Sequence, residues 1–147
     1  MVNILLGVGN PLRRDDGAGN YVAANFRRPG WMSLDCGTVP ENFTGVVRRE
    51  HPALLVIVDA AEMGRSPGAF CVIPKERIRD VSFGTHQLPL DVIVDYLAHS
   101  AGRIVMIGIQ PRVVETGEGL SSPVREGADR LIGYLARGEL DTIPVFR

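Results

Sequence analysis

Asp15 and Asp16 form a pair of adjacent carboxylates soon after a short aliphatic run, Asp59 closes another such run, and His86 follows a threonine at the expected start of a helix. Residues of these types offer oxygen donors and one imidazole nitrogen, a set suited to an open three-ligand metal site that leaves room for substrate. Asp16, Asp59 and His86 are the three such a site would use. In the first turn of a helix the dipole disfavours the imidazolium, which leaves a nitrogen lone pair available to metal. Taken singly, each also has a plain structural use: Asp15 and Asp16 as helix caps, Asp59 as a turn former at a strand end, His86 as a helix-start residue.

Other chemistries fit less well. The run Gly7-Val8-Gly9-Asn10-Pro11-Leu12 suggests a dinucleotide turn but has Leu12 where the fingerprint places its third glycine. Two carboxylates at the following helix start would also repel a phosphate. A serine nucleophile is not expected, because no Gly-x-Ser-x-Gly elbow is read in the chain and Ser121 and Ser122 are explained as helix caps. Cys36 and Cys71 sit in apolar segments without the context of a thiol protease, and read as buried thiols in a reducing cytoplasm. His51 and His99 fall at apparent helix ends, where positive charge is welcome.

The elements that must position these residues alternate. An aliphatic strand over 2–9 leads through Asn10-Pro11 into a helix beginning at Asp15-Asp16 and carrying Tyr21, Val22, Ala24 and Phe26 on one face. Trp31–Asp35 reads as a second strand, 41–50 as an amphipathic helix, and 54–58 as a third strand ending at Asp59. A strand over 69–73 could pair antiparallel at an edge; a helix is expected over 85–99 and an aliphatic strand at Arg103–Ile109, stopped by Gln110-Pro111. A last helix opens at Ser122-Pro123, presents Val124, Ala128, Leu131, Ile132 and Leu135, and ends at Gly138. The alternation implies an α/β fold: a three-layer, open, mostly parallel twisted sheet of about five strands, with right-handed crossovers and helices on both faces. Ligands of such sheets collect beyond the carboxyl ends of the strands, where Asp15-Asp16, Asp59 and His86 are expected.

With 147 residues and 45% hydrophobic content, the chain suits one domain over 1–147. Sixteen basic residues against 17 acidic give a net charge of -1, which leaves no footprint for a polyanion, so nucleic acid is not an expected partner. The arginine pairs Arg13-Arg14, Arg27-Arg28 and Arg48-Arg49 are suited to an acidic partner surface or to solvated helix ends. The aliphatic runs are all under ten residues, and no signal peptide or membrane insertion is expected.

Segments in a fixed order sharpen the reading. Gly7-Val8-Gly9-Asn10 is followed by Asp15-Asp16-Gly17-Ala18-Gly19, then by Asp35-Cys36-Gly37-Thr38 with Pro40-Glu41-Asn42. Ile57-Val58-Asp59-Ala60 with Met63-Gly64, Thr85-His86 with Pro89-Leu90, and Gly108-Ile109-Gln110-Pro111 come after them. Together they resemble the hydrogenase maturation endopeptidases, in particular the branch serving hydrogen-evolving hydrogenases of the formate-hydrogenlyase type. The resemblance implies a cytoplasmic, nickel-dependent peptide hydrolase, aspartic-type or metal-assisted. It would remove the C-terminal extension of a nickel-iron hydrogenase large-subunit precursor after nickel insertion. It implies that Asp16, Asp59 and His86 are both the nickel-contacting and the catalytic set, with the nickel supplied by the precursor. Family members carry Glu or Asp at the first of these positions, so Asp16 fits with a reach one methylene shorter than Glu. Two other readings use the same residues: a receiver-like phosphoacceptor domain, which lacks its lysine because Gln110-Pro111 stands there, and a small-ligand binding module on the same fold.

Overall fold

A computed structural model describes residues 2–83 and 89–147. The strands are β1 (Asn3–Gly7), β2 (Trp31–Asp35), β3 (Leu54–Glu62), β4 (Phe70–Ile73), β5 (Ser82–Phe83) and β6 (Arg103–Ile109). The helices are α1 (Ala18–Asn25), α2 (Thr44–Glu50), α3 (Leu90–Leu97) and α4 (Ser122–Ala136). The sheet runs β2-β1-β3-β6-β4, parallel through β6 and antiparallel at the β4 edge, while β5 pairs antiparallel with the far end of β3.

Burial on both faces explains why the central strands read as unbroken aliphatic runs. Register places Ile4 beside Leu55 and Leu6 beside Ile57, and these four point to one layer with Val47 of α2 and Ile93 and Leu97 of α3. Leu5, Val56 and Val58 point the other way, onto Val22 of α1 and Val124, Leu131 and Leu135 of α4. Each such aliphatic side chain contributes about 1.5–3 kcal/mol by leaving water. The three layers and the antiparallel edge strand are as expected from sequence.

Several boundaries differ. Asp59 lies inside β3 rather than beyond its end, because the ladder continues: Asp59 is level with Gly108 and Ala60 with Ile109 on β6, and β5 then takes over at Ala61 and Glu62. Asp15 and Asp16 occupy a 3₁₀ turn (Arg14–Gly17) and form no side-chain cap; α1 starts at Ala18. The stretch 41–50 divides into a 3₁₀ turn (Pro40–Phe43), which Pro40 initiates, and α2. α3 begins at Leu90 with Pro89 before it; Thr85 and His86, expected to open that helix, lie outside the described residues. No helix among the described residues is long and apolar enough to cross a membrane.

Candidate active site

The first turn is built by close backbone approach. β1 and β3 remain paired past Gly7, with the Val8 amide donating to the Val58 carbonyl at 2.9 Å. A Cβ on Gly19 would collide with the carbonyls of Val58 and Val8, and one on Gly9 with the carbonyl of Asp16. Gly9 of the run that suggested a nucleotide turn, together with Gly19, therefore lets α1 and the Asp16 turn lie directly against the strands.

Asp16 is 5% exposed, and its carboxylate accepts from the Asn10 amide at 3.2 Å. The turn that carries it packs on β3, where Asp59 is fully buried. Both carboxylates thus stand toward the carboxyl end of adjacent parallel strands. The third expected member, His86, lies outside the described residues; its described neighbour Phe83 pairs with Ala61, two residues beyond Asp59. Among the described residues no three His, Cys, Asp or Glu side chains form a metal cage.

Asp15 has a role that sequence reasoning missed. It is fully buried and accepts from the amides of Arg112, Val113 and Ser121 at 2.9, 2.9 and 2.7 Å, and from the Ser121 hydroxyl at 2.7 Å. Burial is the largest single influence and pushes its pKa up, but the hydrogen bonds from Val113, Ser121 and Arg112 outweigh it and hold the carboxyl below its ordinary value. Ser121 occupies the N-cap position of α4, as expected, but its hydroxyl serves this carboxylate rather than the helix. The connection over 111–121 is fastened further by Arg14 amide to Gly117 carbonyl, Gly117 amide to Leu12 carbonyl, and Arg14 Nε to Gly119 carbonyl. It forms a strap across the turn that bears Asp16.

Gln110 is a second missed residue. Its Oε1 accepts from the Met63 and Arg65 amides at 2.7 and 3.2 Å, and its Nε2 donates to Glu62, which fixes the chain as it leaves β3. Asp35 organises the end of β2 by accepting from Asn20 Nδ2 at 2.7 Å and the Gly37 amide at 3.0 Å. The signal in sequence was only position: each of these residues ends a strand or follows one.

The thiols are unsuited to nucleophilic work. Burial, with added repulsion from Asp35 and Glu41, pushes Cys36 up to about 12, so the thiolate is scarce near neutrality. Burial also raises Cys71, against the pull of Arg65. The letters Gly64-Arg65-Ser66-Pro67-Gly68 match a serine-hydrolase pattern, which sequence reasoning passed over. The pattern thus does occur, against expectation, but it joins β3 to β4, whereas a nucleophile elbow joins a strand to a helix.

Two buried acids, one within β3 and one in the turn packed on it, without an activated thiol or serine elbow among the described residues, suit metal-assisted or carboxylate-assisted hydrolysis. Residues 18–137 match the hydrogenase maturation protease family. The chain belongs to this family. Among its relatives, the hydrogenase 3 maturation protease of Escherichia coli K12 is 34% identical over 146 residues, covering 94% of each chain. The solution structure of the endopeptidase HycI from Escherichia coli superposes with a TM-score of 0.90 at 31% identity, over 100% of this chain and 97% of that one. The crystal structure of a [NiFe] hydrogenase maturation protease from Thermococcus kodakarensis gives 0.81 at 31% identity, over 94% and 92%. As a hydrogenase maturation protease the chain is an endopeptidase, and its family match includes Asp59 and begins two residues after Asp16.

Proposed function

We propose that this protease removes the C-terminal extension of a nickel-iron hydrogenase large-subunit precursor after nickel has been inserted. Asp16, Asp59 and His86 then contact the nickel that the precursor carries. The observation that supports this most directly is the placement of Asp16 and Asp59, two nearly inaccessible carboxylates, one in the 3₁₀ turn that packs on β3 and the other within β3 itself. Desolvated carboxylates gain most from a cation. In this reading the metal belongs to the substrate and acts as a checkpoint, since a precursor without nickel offers these acids no cation. Nickel so held also polarises the scissile carbonyl or activates a water for attack. The expected setting is the cytoplasm, which keeps Cys36 and Cys71 reduced.

Family membership argues against the receiver reading, and so does Gln110. The place a receiver gives to a lysine for phosphoryl oxygens is filled by an amide whose oxygen is engaged with Met63 and Arg65.

The test is the intact mass of an extended large-subunit precursor incubated with the protein, in nickel-loaded and nickel-free forms. Loss of one defined tail from the loaded form alone supports the proposal, and equal cleavage of both forms removes the nickel checkpoint. Asp16→Asn and Asp59→Asn are expected to lower the cleavage rate of loaded precursor by at least about a hundredfold. Either variant cutting at the normal rate would eliminate its residue from the site.

A further inference from the structure

Between the opening turns of α2 and α3 lies a pocket of about 250 Å³, walled by Glu41, Thr44, Val92, Ile93 and Tyr96. The 3₁₀ turn Pro40–Phe43 carries the chain from the carboxyl end of β2 into α2, and α3 leads to the amino end of β6. Both helices therefore begin at the end of the sheet where Asp16 and Asp59 stand. Ile93 is buried, while Val92 and Tyr96 are 45% and 56% exposed, so the pocket has apolar walls that reach the surface.

Glu41 is the charged member of this lining, and its carboxylate is unserved. An acid in the first turn of a helix ordinarily accepts from the free amides there. Glu41 does not, since neither its own 3₁₀ turn nor α2 has a side-chain cap. Its Oε2 is buried without a hydrogen-bond partner among the described residues. The Thr44 hydroxyl supplies no donor, because it turns back to the Glu41 carbonyl at 2.9 Å. The neighbouring cations are committed elsewhere. Arg48, about two turns along from Glu41, donates to the Tyr96 hydroxyl at 2.8 Å and lies 5.6 Å from the centre of that ring. Arg79 pairs with Asp91 and Lys75 with Asp95. Among the described residues no ion pair reaches Glu41. A buried carboxylate oxygen without a donor is costly, and a cationic donor from another molecule relieves it best.

We infer that this pocket is a docking subsite for one basic side chain, Lys or Arg, of the large-subunit precursor. The aliphatic stem lies on Val92, Ile93 and the Tyr96 ring, and the cationic head donates to Glu41. An apolar side chain would leave Glu41 buried without a donor, and an acidic one would be repelled. The inference rests on the protease reading above, in which a precursor seated over Asp16 and Asp59 also covers the adjoining helix ends.

The test compares kcat/KM on nickel-loaded precursor for wild type and Glu41→Gln, which removes the charge at nearly constant shape. A drop of about tenfold is expected, carried by KM rather than kcat and smaller at high salt. The Tm of Glu41→Gln should equal or exceed that of wild type, because an unpaired buried charge is removed. Replacing the precursor's Lys and Arg residues by Gln one at a time should identify a position that gives the same drop with wild type and little further loss with Glu41→Gln. Glu41→Gln at wild-type efficiency, full additivity with every such replacement, or a Tm lowered together with kcat overturns the subsite and leaves the protease reading standing. Failure of wild type to cut any loaded precursor overturns both.

Discussion

Replacing Asp15 with asparagine puts an amide NH₂ among the donors of Arg112, Val113 and Ser121, and is expected to lower stability at neutral pH by about 2 kcal/mol. The pH dependence has a definite sign. The folded-state pKa of Asp15 lies below its ordinary value of 3.8, so its ionised form stabilises the fold fully above that value. The contribution is lost as pH falls through the lower, folded pKa. The gap between wild type and Asp15→Asn in urea unfolding should therefore narrow between neutral pH and about pH 3; a constant gap would refute the clamp. For Cys36, held near 12 by burial and two acids, alkylation at about pH 8 should be at least about a hundredfold slower in the native protein than in urea. The placement of Asp16 after β1 and of Asp59 on β3 was legible in sequence because each follows an aliphatic run. The work of Asp15 was not, because its partners lie 97 to 106 residues away.

At the level of elements, the packing of α1 on the strand ends depends on Gly19, and Gly19→Ala should cost about 3 kcal/mol and lower Tm. Retention of wild-type Tm would mean that α1 can shift without penalty. Gln110→Ala strands the Met63 and Arg65 amides and should cost about 2 kcal/mol, with faster hydrogen exchange at those two amides as its local mark. The aliphatic periodicity gave β1, β2, β6 and α4 nearly to the residue. It stopped β3 short at 58, since an aspartate reads locally as a turn former, and what carries the strand onward is pairing with β6 and β5. The two-residue β5 has no periodicity to detect, and Pro40 turned part of an expected α-helix into a 3₁₀ turn.

For the molecule as a whole, two cores separated by the sheet predict independent energetics. Ile57→Ala in one layer and Leu131→Ala in the other should each cost about 2–5 kcal/mol, and the double variant should equal their sum within about 0.5 kcal/mol. A large coupling in denaturant unfolding would show that the sheet transmits strain between its faces. The layered α/β plan was readable because alternation of strands and helices leaves few alternatives. What pins its functional end was not, since that depends on a strap closed from the far side of the sequence. The strap has a practical corollary for protein engineering. Segments 10–17 and 111–121 share Asp15, Arg14 and Gly117 as fastenings, so neither loop can be transplanted into a relative, lengthened or trimmed without its mate. A graft of one alone would put Asp16 on a turn stripped of its fastenings to the strap.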